Sequence, residues 1–362
     1  MKYLLVMTDS NNVINFRKKL IELLKHEGHS VVVVAHDEKR KDDIEALGVS
    51  FYCAEQNNRG LNPLSMLSYE KKLKSIMKKE NPDVVFTFQL KPNTFGVMAA
   101  KKAGVKKIYS MVEGAGDVFV HDSLKWKIIR FVVCSLYRRA FRWCAKVFFL
   151  NNDDKSEFIE RKLVTEDKCE TVYGIGCDLE HFSYSPLKEN GSFLMIARML
   201  RAKGTIEYCK CARIVKQKHP QVAFNYLGAE GDIKVSDIQE YIDDGSINYL
   251  GTTKDVRPYI ENCSLLLLPS HREGMPMSIM EAESMGRPII TSNSVGCKDT
   301  VVNGYNGFLI EKYDYEKMAE LCIFALENFK EIQQMGVNAR RFAEENFDSD
   351  KINGKIYGII NV

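Results

Sequence analysis

Short unbroken apolar runs that alternate with longer helical patterns constrain this chain more than any other feature. Residues 31–34 and 84–86 are apolar without the polar-apolar alternation of a half-exposed strand. Strands of this kind are typical of parallel sheets, because helices cover both faces of such sheets. Between the runs lie stretches with helical period, such as residues 15–27 and 65–79. The order of strand, helix and strand therefore predicts a doubly wound α/β fold.

The alternation of strand-length and helical patterns is interrupted near the middle of the chain and then resumes. The sequence becomes polar around Pro186 and Gly191, and an apolar run at residues 192–197 begins a second series of strands and helices. A chain of 362 residues also exceeds the size at which one hydrophobic core usually stops growing. We therefore predict two Rossmann-like domains that face a cleft, at residues 1–182 and 188–344.

Composition excludes several classes of protein. The hydrophobic fraction of 45% and the charged fraction of 27% are those of a soluble globular chain. No run approaches the roughly 18 apolar residues of a membrane span, and the first apolar run is too short for a signal sequence. The ten cysteines show neither a Cys-x-x-Cys pair nor zinc-site spacing, so we expect reduced core thiols in a cytoplasmic protein.

The most informative segment runs from Leu265 to Ser292 and is read as a buried strand, a loop, a helix and a further strand. Pro276 suits the first helical position, because its missing N–H costs nothing there. The amides of residues 277–279 would then be free at the mouth where the strand ends, which is an anion site suited to a diphosphate. Glu273 in the loop and Glu281 one turn into the helix could accept hydrogen bonds from sugar and ribose hydroxyls. Solvated surface glutamates are the alternative for an isolated pair.

The spacing of these glutamates resembles the Glu-x7-Glu signature of family 4 retaining glycosyltransferases, which have the GT-B fold. The resemblance continues through residues 274–276, 286–290 and 303–307. It implies that the second domain binds a nucleotide sugar and that the first domain binds the acceptor. It also implies that a last helix, at residues 345–362, packs back on the first domain.

The resemblance assigns roles to individual side chains. Arg198 and Lys203 would bind the diphosphate and neutralise its charge as the nucleotide leaves, so that the reaction needs no metal. Glu273 would contact the transferred sugar. The residues expected to bind the rest of the donor are Glu281, Gly274, Met275, Pro276, Met277, Ser278, Gly228 and Gly251.

The first domain carries a looser but more particular resemblance. Residues 91–96, 112–116, 130–132 and 135–137 look like bacterial N-acetylgalactosaminyltransferases that act on undecaprenyl-diphosphate-linked sugars in N-glycan, O-antigen or capsule assembly. Glu113 follows a strand, so it could reach the donor sugar or the acceptor hydroxyl as a further catalytic residue. Its alternative is a loop or helix-capping carboxylate. Many family members carry a histidine at this position and glycines in the first loop, so neither of those features transfers to this chain.

Basic charge is concentrated in the first half. Up to Ser185 there are 30 lysines and arginines against 24 acidic residues, and after it 21 against 24. On a helical projection Lys127, Arg138, Arg142 and Lys146 fall on one side, which could be an ordinary solvated face or could rest on anionic lipid. The lipid-linked acceptor favours a peripheral protein at the inner face of the bacterial plasma membrane. Nucleic acid is not expected as a partner.

The sequence therefore predicts a retaining transferase that needs no cofactor or metal. It would move a hexose or N-acetylhexosamine, with GalNAc as the best guess, from a UDP-sugar to a polyprenyl-diphosphate-linked saccharide. A UDP-sugar epimerase of the same two-lobed architecture is the alternative.

Three further classes of protein are disfavoured. A dehydrogenase would need Gly-x-Gly-x-x-Gly. Gly174 and Gly176 match the first two glycines of that motif, but Leu179 occupies the position of the third. A metal-dependent GT-A enzyme would need Asp-x-Asp at a strand end, and the only such pattern, at residues 348–350, lies near the end of the chain. A non-catalytic protein of the same fold would not need the intact charged residues of the expected site.

Overall fold

The computed structural model describes residues 1–55, 63–119, 123–189 and 191–362. The chain divides into two compact units. The first comprises Met1–Ile175 together with Asp350–Val362, and the second comprises Gly176–Ser349. The change of unit thus lies a few residues before the boundary that the polar stretch around Pro186 indicates, and the end of the chain belongs to the first unit.

The first unit is built on a seven-stranded parallel sheet with the order β3-β2-β1-β4-β5-β6-β7. Its central strands are apolar on both faces, since residues 31–35 of β2 and 84–88 of β4 are buried throughout. The strands are β1 Lys2–Val6, β2 Ser30–Ala35, β3 Ser50–Cys53, β4 Val84–Phe88, β5 Lys107–Val112, β6 Lys146–Phe149 and β7 Cys169–Thr171, and the helices are α1 Ser10–His26, α2 Lys41–Glu45, α3 Pro63–Glu80, α4 Val97–Ala103, α5 Leu124–Phe141 and α6 Asn152–Glu160.

The second unit repeats the plan with a six-stranded parallel sheet in the order β10-β9-β8-β11-β12-β13. All four leucines of β11 are buried, and they pair in register with β12 from Leu266 opposite Ile289 onward. The strands are β8 Ser192–Ile196, β9 Ala223–Leu227, β10 Asn248–Tyr249, β11 Leu265–Leu268, β12 Ile289–Ser292 and β13 Gly307–Ile310, and the helices are α7 Thr205–Lys218, α8 Gln239–Asp243, α9 Arg257–Glu261, α10 Met277–Ser284, α11 Tyr315–Glu327 and α12 Phe329–Asn346.

Each sheet has one point at which the order of its strands along the chain reverses direction. In the first unit the reversal lies between β1 and β4, and in the second it lies between β8 and β11. Ligands of doubly wound domains bind at the carboxyl ends of the strands at such a point, because the crossover helices diverge there. The loops that follow β8 and β11 are therefore where a ligand of the second unit is expected.

The last helix, α13, spans Ser349–Ile360 and is hydrogen-bonded to the first unit. Tyr3 Oη donates to Asn361 Oδ1 over 3.1 Å, and Lys355 Nζ donates to the Thr171 carbonyl oxygen over 2.8 Å. His29 Nε2 lies 3.0 Å from Tyr357 Oη. These contacts tie the end of the chain to strands β1 and β7.

All ten cysteines lie in the part of the chain that the structure describes, and all are free thiols. Burial raises the pKa of Cys144 and of Cys263 to about 12, so neither is a thiolate at neutral pH. Among the described helices, none is both long enough and apolar enough to cross a membrane.

Candidate functional site

The loop between β11 and α10 forms the centre of the candidate site. Ser270 anchors it, since Ser270 Oγ lies 3.0 Å from the Ala202 carbonyl oxygen and 2.7 Å from Glu273 Oε1. The Glu273 amide donates to the Val295 carbonyl oxygen over 2.9 Å, and Ser294 Oγ donates to the Ser270 carbonyl oxygen over 2.7 Å. The loop is therefore held from both sides, which fixes the Glu273 side chain at the carboxyl edge of the sheet.

Lys203 forms an ion pair with Glu273. The Lys203 side chain is 25% exposed and the Glu273 side chain is 11% exposed, so the cation is the more open partner. Gly204 makes the pairing feasible, because its φ is +77° and a Cβ at this position would lie 2.3 Å from the Pro269 carbonyl oxygen. The start of α7 can thus approach the end of β11 closely enough for the two side chains to meet.

Arg198 follows β8 and is exposed. Its guanidinium makes no hydrogen bond or ion pair with any residue that the structure describes, so the structure does not bring it into contact with Lys203 or Glu273. Within the described ranges, no three His, Cys, Asp or Glu side chains are grouped so as to hold a metal ion. Lys203 and Arg198 are two positively charged side chains at this edge of the sheet.

The start of α10 differs in detail from the sequence prediction. Pro276 is the residue before the helix, with φ −75° and ψ 117°, and it is not the first helical residue. Its carbonyl oxygen accepts from the Ile279 amide at 3.2 Å, so the prediction that the Ile279 amide is free was wrong. The amides of Met277 and Ser278 donate to no described residue. Two amides, rather than three, are therefore open at this helix start and available to an anion.

The chain around these amides is closely packed. Met275 and Pro276 are buried, whereas Gly274 is only partly so. The side chains of Met275 and Pro276 are therefore closed to solvent, whereas the backbone amides of the next two residues are unused. Gly274, Met275 and Pro276 therefore shape the site through the backbone.

Glu281 and Glu283 lie on the same short helix in opposite situations. Glu283 is fully buried and accepts a hydrogen bond from Asn306 Nδ2 at 2.6 Å, which braces the turn before β13. Glu281 is only partly buried, and its carboxylate has no hydrogen-bond partner among the described residues. Burial nevertheless raises its pKa to about 8. An open carboxyl group of this kind is suited to a ligand that brings its own hydrogen-bond donors.

Gly228 and Gly251 are brought together at the same edge. The Gly228 amide donates to the Gly251 carbonyl oxygen over 2.7 Å, and Tyr249 Oη donates to the Gly228 carbonyl oxygen over 2.9 Å. A Cβ at Gly228 would lie 1.7 Å from the Ala197 carbonyl oxygen, so no larger residue fits where the ends of β8 and β9 meet.

Glu113, at the end of β5 in the first unit, forms an ion pair with Arg17 of α1. The Arg17 side chain is only 4% exposed, its guanidinium lies 4.3 Å above the centre of the Phe88 ring, and burial lowers its pKa to about 9. Sequence reasoning missed Arg17, because a single arginine inside an amphipathic helix pattern gives no signal of its partner. Glu113 is thus a carboxylate bound to a buried cation.

The predicted basic face of the first unit is only partly present. Helix α5 ends at Phe141, so Lys146 is not on it; Lys146 begins β6 and lies 2.8 Å from Glu170 Oε1. Arg138 donates from Nε to the Lys162 carbonyl oxygen over 3.0 Å. The projection assumed one helix to residue 146, and the turn after Phe141 breaks it.

The chain matches two family models and is similar to two bacterial glycosyltransferases over most of its length. Residues 4–151 match the model described as glycosyl transferase 4-like, and residues 178–342 match the model described as glycosyl transferases group 1. The chain is 28% identical over 346 residues to the N,N'-diacetylbacillosaminyl-diphospho-undecaprenol alpha-1,3-N-acetylgalactosaminyltransferase of Campylobacter jejuni, covering 92% of this chain and 91% of the relative. It is 28% identical over 302 residues to the UDP-Gal:alpha-D-GlcNAc-diphosphoundecaprenol alpha-1,3-galactosyltransferase of Escherichia coli, covering 78% and 76%.

Solved structures share the fold over the whole chain. Anabaena Alr3699/HepE in complex with UDP superposes with a TM-score of 0.82 at 19% identity and covers 100% of both chains. Sucrose-phosphate synthase from Thermosynechococcus elongatus superposes with a TM-score of 0.82 at 14% identity, covering 100% of this chain and 98% of the other. At this level of identity the likeness shows a common architecture.

Proposed function

Because this chain belongs to the glycosyltransferases of GT-B fold, with a 4-like first domain and a group 1 second domain, we propose that it extends an undecaprenyl-diphosphate-linked saccharide from a UDP-sugar. The sequence predictions of the family, the fold class and the transferase activity are confirmed. The family matches do not favour the alternative of an epimerase. Support for the acceptor comes from the two relatives, whose names both specify a diphosphoundecaprenol-linked sugar.

The observation that carries the donor assignment is the cluster of open groups at the carboxyl edge of the second sheet. Lys203 and Arg198 supply two exposed or half-exposed cations, and the amides of Met277 and Ser278 supply two unused donors. All four would bind diphosphate oxygens, since guanidinium, ammonium and helix-start amides are strong partners for phosphate. In our proposal these groups stabilise the leaving nucleotide, and no metal ion is needed for that task.

The two glutamates of the motif select the sugar and the ribose. Lys203 and Ser270 both contact Oε1 of Glu273, so Oε2 remains for a hydroxyl of the transferred sugar. Glu281, which lacks a partner in the described part of the chain, would accept from the ribose hydroxyls. Neither carboxylate acts as a nucleophile in this scheme.

Transfer is proposed to retain the configuration of the sugar. The acceptor hydroxyl oxygen bonds to the anomeric carbon on the face from which the nucleotide departs, while the bond from that carbon to the phosphate oxygen breaks. The proton of the acceptor hydroxyl passes to the departing phosphate oxygen. Lys203 and Arg198 balance the charge that develops there. Glu113 is proposed to orient the acceptor hydroxyl or the donor sugar, held in place by Arg17.

Purified protein, a lipid-linked acceptor and a panel of UDP-sugars, each with and without a chelator, test the proposal. We expect turnover with a UDP-N-acetylhexosamine, UDP-GalNAc being the first candidate, undiminished by the chelator and giving an α-linked product. Absence of turnover with every donor, or its loss on chelation, would count against the proposal. Conversion of the UDP-sugar to its epimer without transfer would indicate the epimerase instead.

A further inference from the structure

The outward face of helix α5 exposes apolar side chains over its first half. Leu124 and Phe131 are each 76% exposed, Ile128 is 59% exposed and Val132 is 42% exposed. The spacing of four, three and one residues puts them on one side of the helix, opposite the buried Val133. Four large apolar side chains within nine residues form a patch, whereas scattered single ones are ordinary on a protein surface.

The same face becomes basic toward the end of the helix. After Ser135 it carries Arg139 and Arg142, both exposed, and the exposed Lys125 and Lys127 flank the apolar part. No acidic residue occurs from residue 123 to 145. The face therefore changes from apolar at its N-terminal end to cationic at its C-terminal end.

We propose that this outward face of α5 docks on an anionic lipid bilayer, with Leu124, Ile128 and Phe131 inserted among the acyl chains. A bilayer matches the order of side chains along the helix, because apolar groups meet hydrocarbon while lysines and arginines reach anionic headgroups at the interface. A protein partner would have to match both an apolar patch and a cationic stretch that acids do not interrupt. The inference rests on the proposed function, in that a lipid-linked acceptor lies in such a bilayer.

The position of α5 in the fold connects this surface to the candidate site of the first unit. The helix follows β5, so it begins at the carboxyl edge of the sheet. Glu113, the residue directly after β5, lies at the same edge. Arg130 Nε of α5 donates to the Val118 carbonyl oxygen over 2.8 Å, which ties the helix to the segment after Glu113. Docking through the first half of α5 would hold that edge of the sheet near the lipid surface that carries the acceptor.

This surface differs in nature from a purely basic one. Binding by charge alone disappears when salt screens it, whereas binding by inserted side chains persists. The proposal therefore predicts binding to anionic vesicles that is weakened but not abolished at about 1 M salt, where the Debye length is about 3 Å.

Vesicle co-flotation of the full-length protein tests the proposal. Vesicles of phosphatidylcholine with and without phosphatidylglycerol are mixed with the wild type, with Ile128→Ser/Phe131→Ser, and with Val337→Ser as the control. Val337 is 39% exposed on α12 of the second unit and is outside the proposed surface. We expect the double variant to lose about tenfold or more in partition to anionic vesicles, because two apolar side chains no longer leave water. The control should bind as the wild type does.

A second pair of variants separates charge from insertion. Lys125→Gln/Lys127→Gln should reduce binding at low salt, about fivefold for each lysine removed, and should make little difference at about 1 M salt. All substituted side chains are exposed, so circular dichroism and the melting temperature should match the wild type. Unchanged flotation of Ile128→Ser/Phe131→Ser would overturn the proposal. Failure of the wild-type protein to float with anionic vesicles would also overturn it. So would a wild type that is dimeric and a double variant whose sole change is that it is monomeric.

A water-soluble acceptor with a short prenyl chain separates this inference from the proposed function. The double variant should retain wild-type turnover on that acceptor and lose turnover on the acceptor embedded in vesicles. If the wild type floats with anionic vesicles but glycosylates neither acceptor, the proposed function fails and the docking surface stands. Equal loss on both acceptors would overturn the docking role.

Discussion

Each unit holds a carboxylate with a cation at the carboxyl edge of its sheet, but the two pairs are built in opposite senses. In the first unit the cation is the buried partner, since Arg17 is 4% exposed and Glu113 is 19% exposed. In the second unit the cation is the open partner, since Lys203 is 25% exposed and Glu273 is 11% exposed. A buried cation cannot leave its carboxylate for a ligand, whereas an open one can bind a ligand while keeping its partner.

The surroundings of the two pairs agree with this difference. Arg17 packs against Phe88, and burial lowers its pKa to about 9, so Glu113 offsets a charge that the core would otherwise leave unpaired. Lys203 pairs with Glu273 in the loop that leads into α10, and the first two amides of that helix are unused. The first pair therefore chiefly fixes the position of Glu113, whereas the second is available to an anionic donor.

The largest expected effect is on the stability of the first unit. Arg17→Met should cost about 3–5 kcal/mol, because Glu113 is left half-buried without its cation. Both tryptophans, Trp126 and Trp143, belong to this unit, so their fluorescence in urea follows its unfolding. Lys203→Met is the matched control and should leave the tryptophan transition in place.

A double variant sharpens the same prediction. Arg17→Met/Glu113→Gln removes both charges and should recover part of the lost stability, since the cost lies in the unpaired carboxylate. A loss for Arg17→Met of less than about 1 kcal/mol, which is typical of an exposed ion pair, would contradict the view that this pair is structural.

The next effect concerns catalysis in the second unit. Lys203→Met should lower kcat/KM for transfer by about 10²–10³, which is typical for removal of one electrostatic contact to a transition state. Lys203→Arg should restore part of the rate, because the charge is kept. Lys218→Met, at the exposed end of the helix α7 that follows Lys203, is the control and should transfer at the wild-type rate. A rate for Lys203→Met within a few-fold of the wild type would remove Lys203 from the proposed site.

Most of the second site could be foreseen from the sequence, whereas in the first only Glu113 was predicted and its partner Arg17 was not. Glu273, Glu281 and the start of α10 lie within one strand-loop-helix segment, where local rules for proline, glycine and helix starts apply. Even there the proline was placed one position too far into the helix, because the sequence does not give the backbone angles on which the N-cap depends. Arg17 and Glu113 are 96 residues apart, and only the packing of α1 on the sheet brings them together.

The basic face shows the same limit. A projection from Lys127 to Lys146 treats the segment as one helix, although the chain turns after Phe141 and begins β6 at Lys146. Periodicity gives the side of a helix on which a residue lies, but it locates the end of the helix only to within a few residues. The apolar patch on α5 was missed because apolar side chains are assigned to the core by default.

A smaller effect is expected at the carboxyl group that has no cation at all. Glu281→Ala should weaken UDP binding about tenfold to a hundredfold, because hydrogen bonds to a charged group contribute about 1.5–3 kcal/mol. Titration calorimetry with UDP measures this directly. Glu240→Ala, at an exposed position on α8, is the control and should bind UDP normally. Unchanged affinity in Glu281→Ala would show that Glu281 does not contact the nucleotide.

The smallest effect is the pH dependence of that same contact. Burial raises the pKa of Glu281 to about 8, so in the free protein at neutral pH the group holds a proton for much of the time. Ribose hydroxyls that donate to the carboxylate favour its charged form, so the pKa falls on binding and a proton is released. Affinity for UDP should therefore rise with pH, by at most about tenfold per unit, and level off above about pH 8.

The terminal phosphate of UDP also titrates, near pH 6, and must be separated from this effect. Glu281→Gln provides the separation, because it keeps the shape of the side chain and removes its proton exchange. The difference between wild type and Glu281→Gln should grow between pH 6 and 8. Calorimetry in buffers of different ionisation enthalpy should detect more proton release in the wild type than in Glu281→Gln, since the phosphate contributes equally to both. Identical pH profiles for the two proteins would mean that Glu281 does not change its protonation state when UDP binds, which would contradict a hydrogen bond from the ribose to an initially protonated carboxyl group.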